Sequence, residues 1–187
     1  MKQRLQKINS RLLNEGDYGE FVPSGKMVKI AGIDPGLAGT GVAVIHGNGT
    51  NIAGYSFGSI ITDKQDSISL RLNIIYGKIA DFLSQQAPDL VVIEDIFSLG
   101  KFPGSGITLA RVSGVLLLAA FKAGINVEEI SVREAKKIVS GSGSADKHQV
   151  ERSVRDILGH KEPIRPFHAS DALALCLCGY YRFGREL

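Results

Sequence analysis

The chain has 187 residues, 44% of them hydrophobic and 22% charged, with a formal net charge of +3. That is the make-up of one ordinary globular domain and excludes a mainly disordered protein. Its longest unbroken apolar stretch, Val115 to Phe121, is far shorter than the roughly 20 residues a membrane-spanning helix needs. Residues 1–26 carry Lys2, Arg4, Lys7 and Arg11 but no apolar run, so they read as a leader or flexible extension without a secretory signal. The expected compartment is the cytoplasm and the expected domain spans residues 27–187. Cys176 and Cys178, two apart in an apolar stretch, are too close for an unstrained bridge within one helix and read as buried thiols. The mild basic excess permits nucleic-acid binding without demanding it.

From Val28 the chain alternates between strand and helix signals. Val28 to Ile33 is a short apolar strand, Thr40 to Ile45 a second, and Asn51 to Ile61 a third, with His46-Gly47-Asn48-Gly49-Thr50 as a hairpin turn. Three strands joined by tight turns predict an antiparallel meander. Ile68, Leu72, Ile75, Ile79 and Leu83 then recur at helical spacing up to Pro88, and Leu90 to Ile93 follows as a buried strand. Ile107 to Ala123 is a helix apolar nearly all round, which implies burial on two sides. Ile125 to Ile130 completes the strands. Three helices close the chain: Val132 to Val139, Asp146 to Leu158 and Pro166 to Tyr180, with Gly141 to Ser144 as a hinge or phosphate-approach loop. This order predicts a mixed five-stranded α/β sheet, a meander plus parallel strands, with helices on both faces, the ribonuclease H-like layout.

Four residues could carry chemistry. Asp34 ends the first strand in Gly32-Ile33-Asp34-Pro35-Gly36, where a carboxylate is costly unless a cation pairs with it. Glu94 ends the isolated strand Val91-Val92-Ile93-Glu94 in the same way. His168 and Asp171 share one face at the start of the last helix. Taken singly, these are a turn residue, a strand end and a helix cap. Together they are hard ligands around an open position, which suits Mg²⁺ or Mn²⁺ better than zinc.

These stretches, with Ile93-Glu94-Asp95-Ile96-Phe97, Gly143-Ser144-Ala145-Asp146-Lys147, Gln149-Val150 and Ser170-Asp171-Ala172-Leu173-Ala174, strongly resemble the RuvC-type Holliday junction resolvases. The likeness runs from about Val28 to Tyr181. It implies that Asp34, Glu94 and Asp171 match the family's acidic metal ligands. His168 matches the remaining position, often an aspartate and in some members a histidine, and so departs from the all-acid form. The softer imidazole suggests a relative preference for Mn²⁺, or a role in orienting the attacking water. The implied reaction is Mg²⁺-dependent hydrolysis of four-way DNA junctions with two metals per site, roughly 3.5 to 4 Å apart, leaving 5′-phosphate and 3′-hydroxyl ends.

DNA contacts are expected from Arg133 and Lys136 on the short basic helix, from Lys147 on the next, and from Arg111. The resemblance lifts Lys136 and Lys147 above a merely solvated helix face, and it assigns Phe97 a part in unstacking bases at the junction. Ala110, Ser113 and Gly114 on the apolar helix permit close approach, so a homodimer interface is placed there. A branch-migration helicase complex is the further partner that the resemblance suggests. Two other readings stay open on the residues: a non-catalytic junction-binding protein, and an actin-like or sugar-kinase ATPase lobe whose Gly39-Thr40-Gly41 would hold phosphates.

Overall fold

The computed structural model describes residues 26–95, 103–184 and 187. The expected leader up to residue 25 and the proposed DNA contact Phe97 lie outside the described residues. Among the described residues, no helix is long and apolar enough to cross a membrane.

Five strands form one sheet in the order β3-β2-β1-β4-β5. The first, β1 (Val28–Asp34), pairs antiparallel with β2 (Gly39–Asn48), which pairs antiparallel with β3 (Asn51–Ile61). On its other side β1 runs parallel to β4 (Leu90–Glu94), and β4 runs parallel to β5 (Val127–Ile130). The expected meander and mixed sheet are both present. The hairpin turn is shorter than the sequence suggested, because β2 stays paired with β3 to Asn48, across a register shift between His46 and Gly47, and Gly49 takes the positive φ of 60°.

Alternation along β1 and β4 sends side chains to two separate cores. Ala31, Ile33, Val91 and Ile93 face α1 (Ile68–Gln86) and α2 (Pro103–Lys122). Ile30 and Val92 face α3 (Val132–Ser140), α4 (Lys147–Leu158) and α5 (Phe167–Phe183). Caps explain the helix starts: Ser67 accepts from the Leu70 N–H, Ser131 from Glu134, and Asp146 forms a capping box with Gln149. Asp146 is therefore a cap and not a helical residue. Gly141, at φ 77°, closes α3, and the Ser142 and Ser144 hydroxyls sit 3.0 Å apart. That segment is a tied helix cap, not a hinge.

The last helix is the most deeply set, with Ala172 to Tyr180 all buried. It lies close on the sheet because Gly32 has no side chain. A Cβ there would strike the Ala172 carbonyl and come within 2.8 Å of the Cys176 sulfur. Both cysteines are free and buried, as expected. By contrast α2 buries only one face. Val112, Leu116, Ala119 and Ala120 turn inward, whereas Ile107, Leu118 and Phe121 are exposed, Phe121 to 81%. Within this chain the helix is thus covered on one side, not two.

Candidate active site

The same alternation fixes where the two strand-end acids point. Ile33 lies opposite Ile93 in the parallel pair, so Asp34 and Glu94, one residue further on, stand side by side at the carboxyl ends of β1 and β4. Both share the parity of Ile30 and Val92, which places them on the α5 face. The first turn of α5 brings His168 there, three residues before Asp171.

Asp34 is buried to 7% exposure and is paired with His168, whose Nδ1 lies 2.7 Å from Asp34 Oδ2. Glu94 stands close enough to Asp34 for the two carboxyl groups to interact. Burial, then the charge and hydrogen bond of Asp34 and the charge of Asp171, push Glu94 up to about 8, while Lys136 pulls it down. Burial and the charge of Asp34 push Asp171 up to about 6, opposed by His168, Lys136 and Lys147. His168 is raised, its hydrogen bond to Asp34 outweighing partial burial, with the charges of Asp34 and Asp171 adding to it. Crowded carboxylates that hold protons near neutrality are what a polyvalent cation would relieve.

The donor set, three carboxylates and one imidazole, suits a hard divalent cation. The expected convergence exists as an electrostatic cluster. It is not a preformed cage, because among the described residues no group of three or more His, Cys, Asp and Glu side chains is arranged to hold a metal ion. Asp34 turns its oxygens toward His168 and Glu94, so ligation requires these hydrogen bonds to be exchanged for metal bonds.

The surrounding backbone is shaped for the imidazole. A Cβ on Gly41 would overlap the His168 carbonyl, and one on Gly39 would meet His168 Cδ2 and Ile61 Cδ1, each at 3.2 Å. Gly39-Thr40-Gly41 therefore lies within β2 and makes room for His168, and it forms no phosphate-holding hairpin. The turn after Asp34 is tied down: Thr40 Oγ1 donates to the Gly36 carbonyl at 2.8 Å, and Arg71 Nε donates to Thr62 Oγ1, which donates to the Leu37 carbonyl.

Of the expected DNA contacts, Lys136 and Lys147 act electrostatically on the acids, and Lys136 Nζ also donates to the Ala145 carbonyl at 2.8 Å. Arg133 is exposed on α3 beside Gly143, and Arg111 is exposed on α2. Neither is among the charges that shift the acids. A group missed in the sequence is Arg165 and Phe167, just before His168. The ring of Phe167 carries Arg165 Cζ at 4.2 Å and Lys147 Nζ at 4.8 Å. A basic-aromatic pair abutting the His168 motif was the available signal. A cleft of about 420 Å³ lies elsewhere, at the start of β1 among Lys29, His46, Tyr55 and Asp89.

A profile of the crossover junction endodeoxyribonuclease RuvC family matches residues 30–179, a span that holds all four residues of the cluster. The chain belongs to the RuvC family. It is 37% identical over 156 residues to a RuvC of Syntrophomonas wolfei, covering 83% of this chain and 90% of that protein. A RuvC of Carboxydothermus hydrogenoformans is also 37% identical, over 84% of this chain and 98% of its own. The Thermus thermophilus RuvC solved in complex with Holliday junction substrate is 30% identical, with a TM-score of 0.77 over 85% of this chain and 96% of that one. The sheet and helices described above are thus the ribonuclease H-like fold of RuvC.

Proposed function

We propose that this protein is a structure-selective endonuclease that resolves four-way DNA junctions by symmetric paired nicks, leaving 5′-phosphate and 3′-hydroxyl ends. The carrying observation is that Asp34, Glu94, His168 and Asp171 form one electrostatic cluster within the RuvC-matched span. Asp34, Glu94, Asp171 and His168 would hold the divalent ions, two per site, Mg²⁺ or Mn²⁺. Such ions supply a hydroxide nucleophile at neutral pH and stabilise the leaving 3′ oxygen. His168 fixes the orientation of the Asp34 carboxylate. Lys136 and Lys147 flank the acids and hold the phosphodiester against them, with Arg133 and Arg111 as more distant backbone contacts. The exposed apolar face of α2, Ile107, Leu118 and Phe121, is covered by a second copy, so that one dimer carries two cutting sites.

The test presents a mobile synthetic four-way junction, a linear duplex and ATP to the protein with Mg²⁺ or Mn²⁺. Paired nicks confined to the junction, resealable by ligase, are expected. Intact junctions, or ATP turnover in their place, would overturn the reading. Neither alternative reading has comparable support, since Gly39 and Gly41 pack on His168 and all three acids of the family pattern are present.

A further inference from the structure

We propose that Arg165, held against Phe167, is a phosphate-binding residue that works with Lys147 to grip the DNA backbone beside the cleavage site. This inference rests on the nuclease reading. Arg165 stands three residues before His168, on the segment that joins α4 to α5. Its guanidinium stacks on Phe167 at 4.2 Å, and the Lys147 ammonium lies 4.8 Å from the centre of the same ring, with His148 packed edge-on at 4.9 Å. Two cations gathered on one ring repel each other, and an anion seated between them relieves that repulsion.

The nearest carboxylate, Glu151, pairs with Arg165 but is shared with a closer partner. Glu151, buried in α4, accepts the Ile164 N–H at 2.9 Å and pairs with Arg155 at 2.9 Å, leaving Arg165 at 3.7 Å. The Arg165 side chain remains 47% exposed, and among the described residues Lys147 has no carboxylate partner within ion-pair distance. Glu151 thus anchors the segment while two positive charges face solvent on the ring of Phe167, the residue next to His168. Nη1 of Arg165 donates to the Ile164 carbonyl at 2.7 Å, which with the aromatic ring fixes the guanidinium in place, and its remaining N–H groups are suited to a phosphodiester. The same ring joins α4, which carries Lys147, to α5, which carries His168 and Asp171. A backbone phosphate seated there is therefore registered against the acids.

The experiment measures junction binding as a function of salt in the Asp34→Asn protein without divalent ions, so that affinity is read apart from cleavage. Arg165→Gln in that background is expected to flatten the slope of log Kd against log salt by about 0.9, the loss of one phosphate contact. It should raise Kd roughly five- to tenfold near 0.1 M salt, with Arg165→Lys restoring the slope. In the cleaving enzyme the loss should fall more heavily on KM than on kcat. A purely structural Arg165 would lower Tm and cleavage with the slope unchanged, and that outcome overturns the proposal. If Arg165→Gln does not fold, Phe167→Leu decides: it must weaken binding several-fold, and an unchanged Kd also overturns the proposal. Failure of the Asp34→Asn protein itself to prefer the junction over duplex would count against the nuclease reading, which is a separate result.

Discussion

His168 and Asp34 are separated by 134 positions in sequence, yet Nδ1 of the imidazole lies 2.7 Å from Oδ2 of the carboxylate. With Nδ1 engaged by Asp34, Nε2, on the ring edge beside Gly39, is the nitrogen left for a cation or a water molecule. His168→Ala removes both functions, and cleavage is expected to fall by about 10²-fold or more under single-turnover conditions. His168→Asp keeps a ligand but exchanges a soft one for a hard one, so the ratio of Mg²⁺- to Mn²⁺-supported activity should rise. An unchanged ratio would remove the imidazole from metal selection.

The raised acids make the pH profile a second check. Protons and divalent ions compete for Glu94, held up to about 8, and Asp171, held up to about 6. At limiting Mg²⁺ the cleavage rate should climb from pH 6 to pH 8, and saturating Mg²⁺ should move the rise to lower pH. A profile independent of metal concentration would contradict this.

The stability of the metal-free protein has its own dependence. Glu94, Asp171 and His168 all have folded values raised above their ordinary ones. The stability each contributes is complete below the ordinary value and is lost as pH rises through the raised one. For Glu94 that window runs from 4.5 to about 8. Glu94→Gln should therefore raise the metal-free melting temperature at pH 8 by about 4 °C, with little effect at pH 4. Calorimetry at the two pH values decides it.

The acids were legible in the sequence because strand periodicity ends in a carboxylate at both Asp34 and Glu94, and helical spacing joins His168 to Asp171. Their mutual orientation was not, because a hydrogen bond between His168 and Asp34 depends on rotamers that no local pattern encodes. Gly39 and Gly41 look like a phosphate loop in sequence, since glycine signals only that something approaches closely. Here that neighbour is the chain's own His168. Of the Arg165, Phe167 and Lys147 cluster only the basic-aromatic pair before His168 leaves a trace in the sequence, because Lys147 is brought to it by the path between α4 and α5.

Those glycines give a fourth prediction. Gly41→Ala drives a methyl into the His168 carbonyl, so it should cost about 1–3 kcal/mol in urea unfolding and cut the cleavage rate at least tenfold. Gly58→Ala, whose methyl would meet only Val42 Cγ2 at 3.9 Å, is the control and should retain both.

The outer face of α2 supplies a fifth. The wild-type protein should sediment as a dimer at micromolar concentration, and Leu118→Glu or Phe121→Glu as a monomer, since either places a charge on the exposed apolar surface. Paired nicking should become uncoupled single nicking in those variants. A monomeric wild type would remove the second copy from α2.

Helix α5 carries two of the four reactive side chains and is also the most enclosed part of the protein. His168 and Asp171 stand in its first turn, directly before the buried stretch from Ala172 to Tyr180. Amides of that buried stretch should exchange with solvent only as fast as the whole domain unfolds, whereas the first-turn amides, which lack intrahelical partners, should exchange sooner.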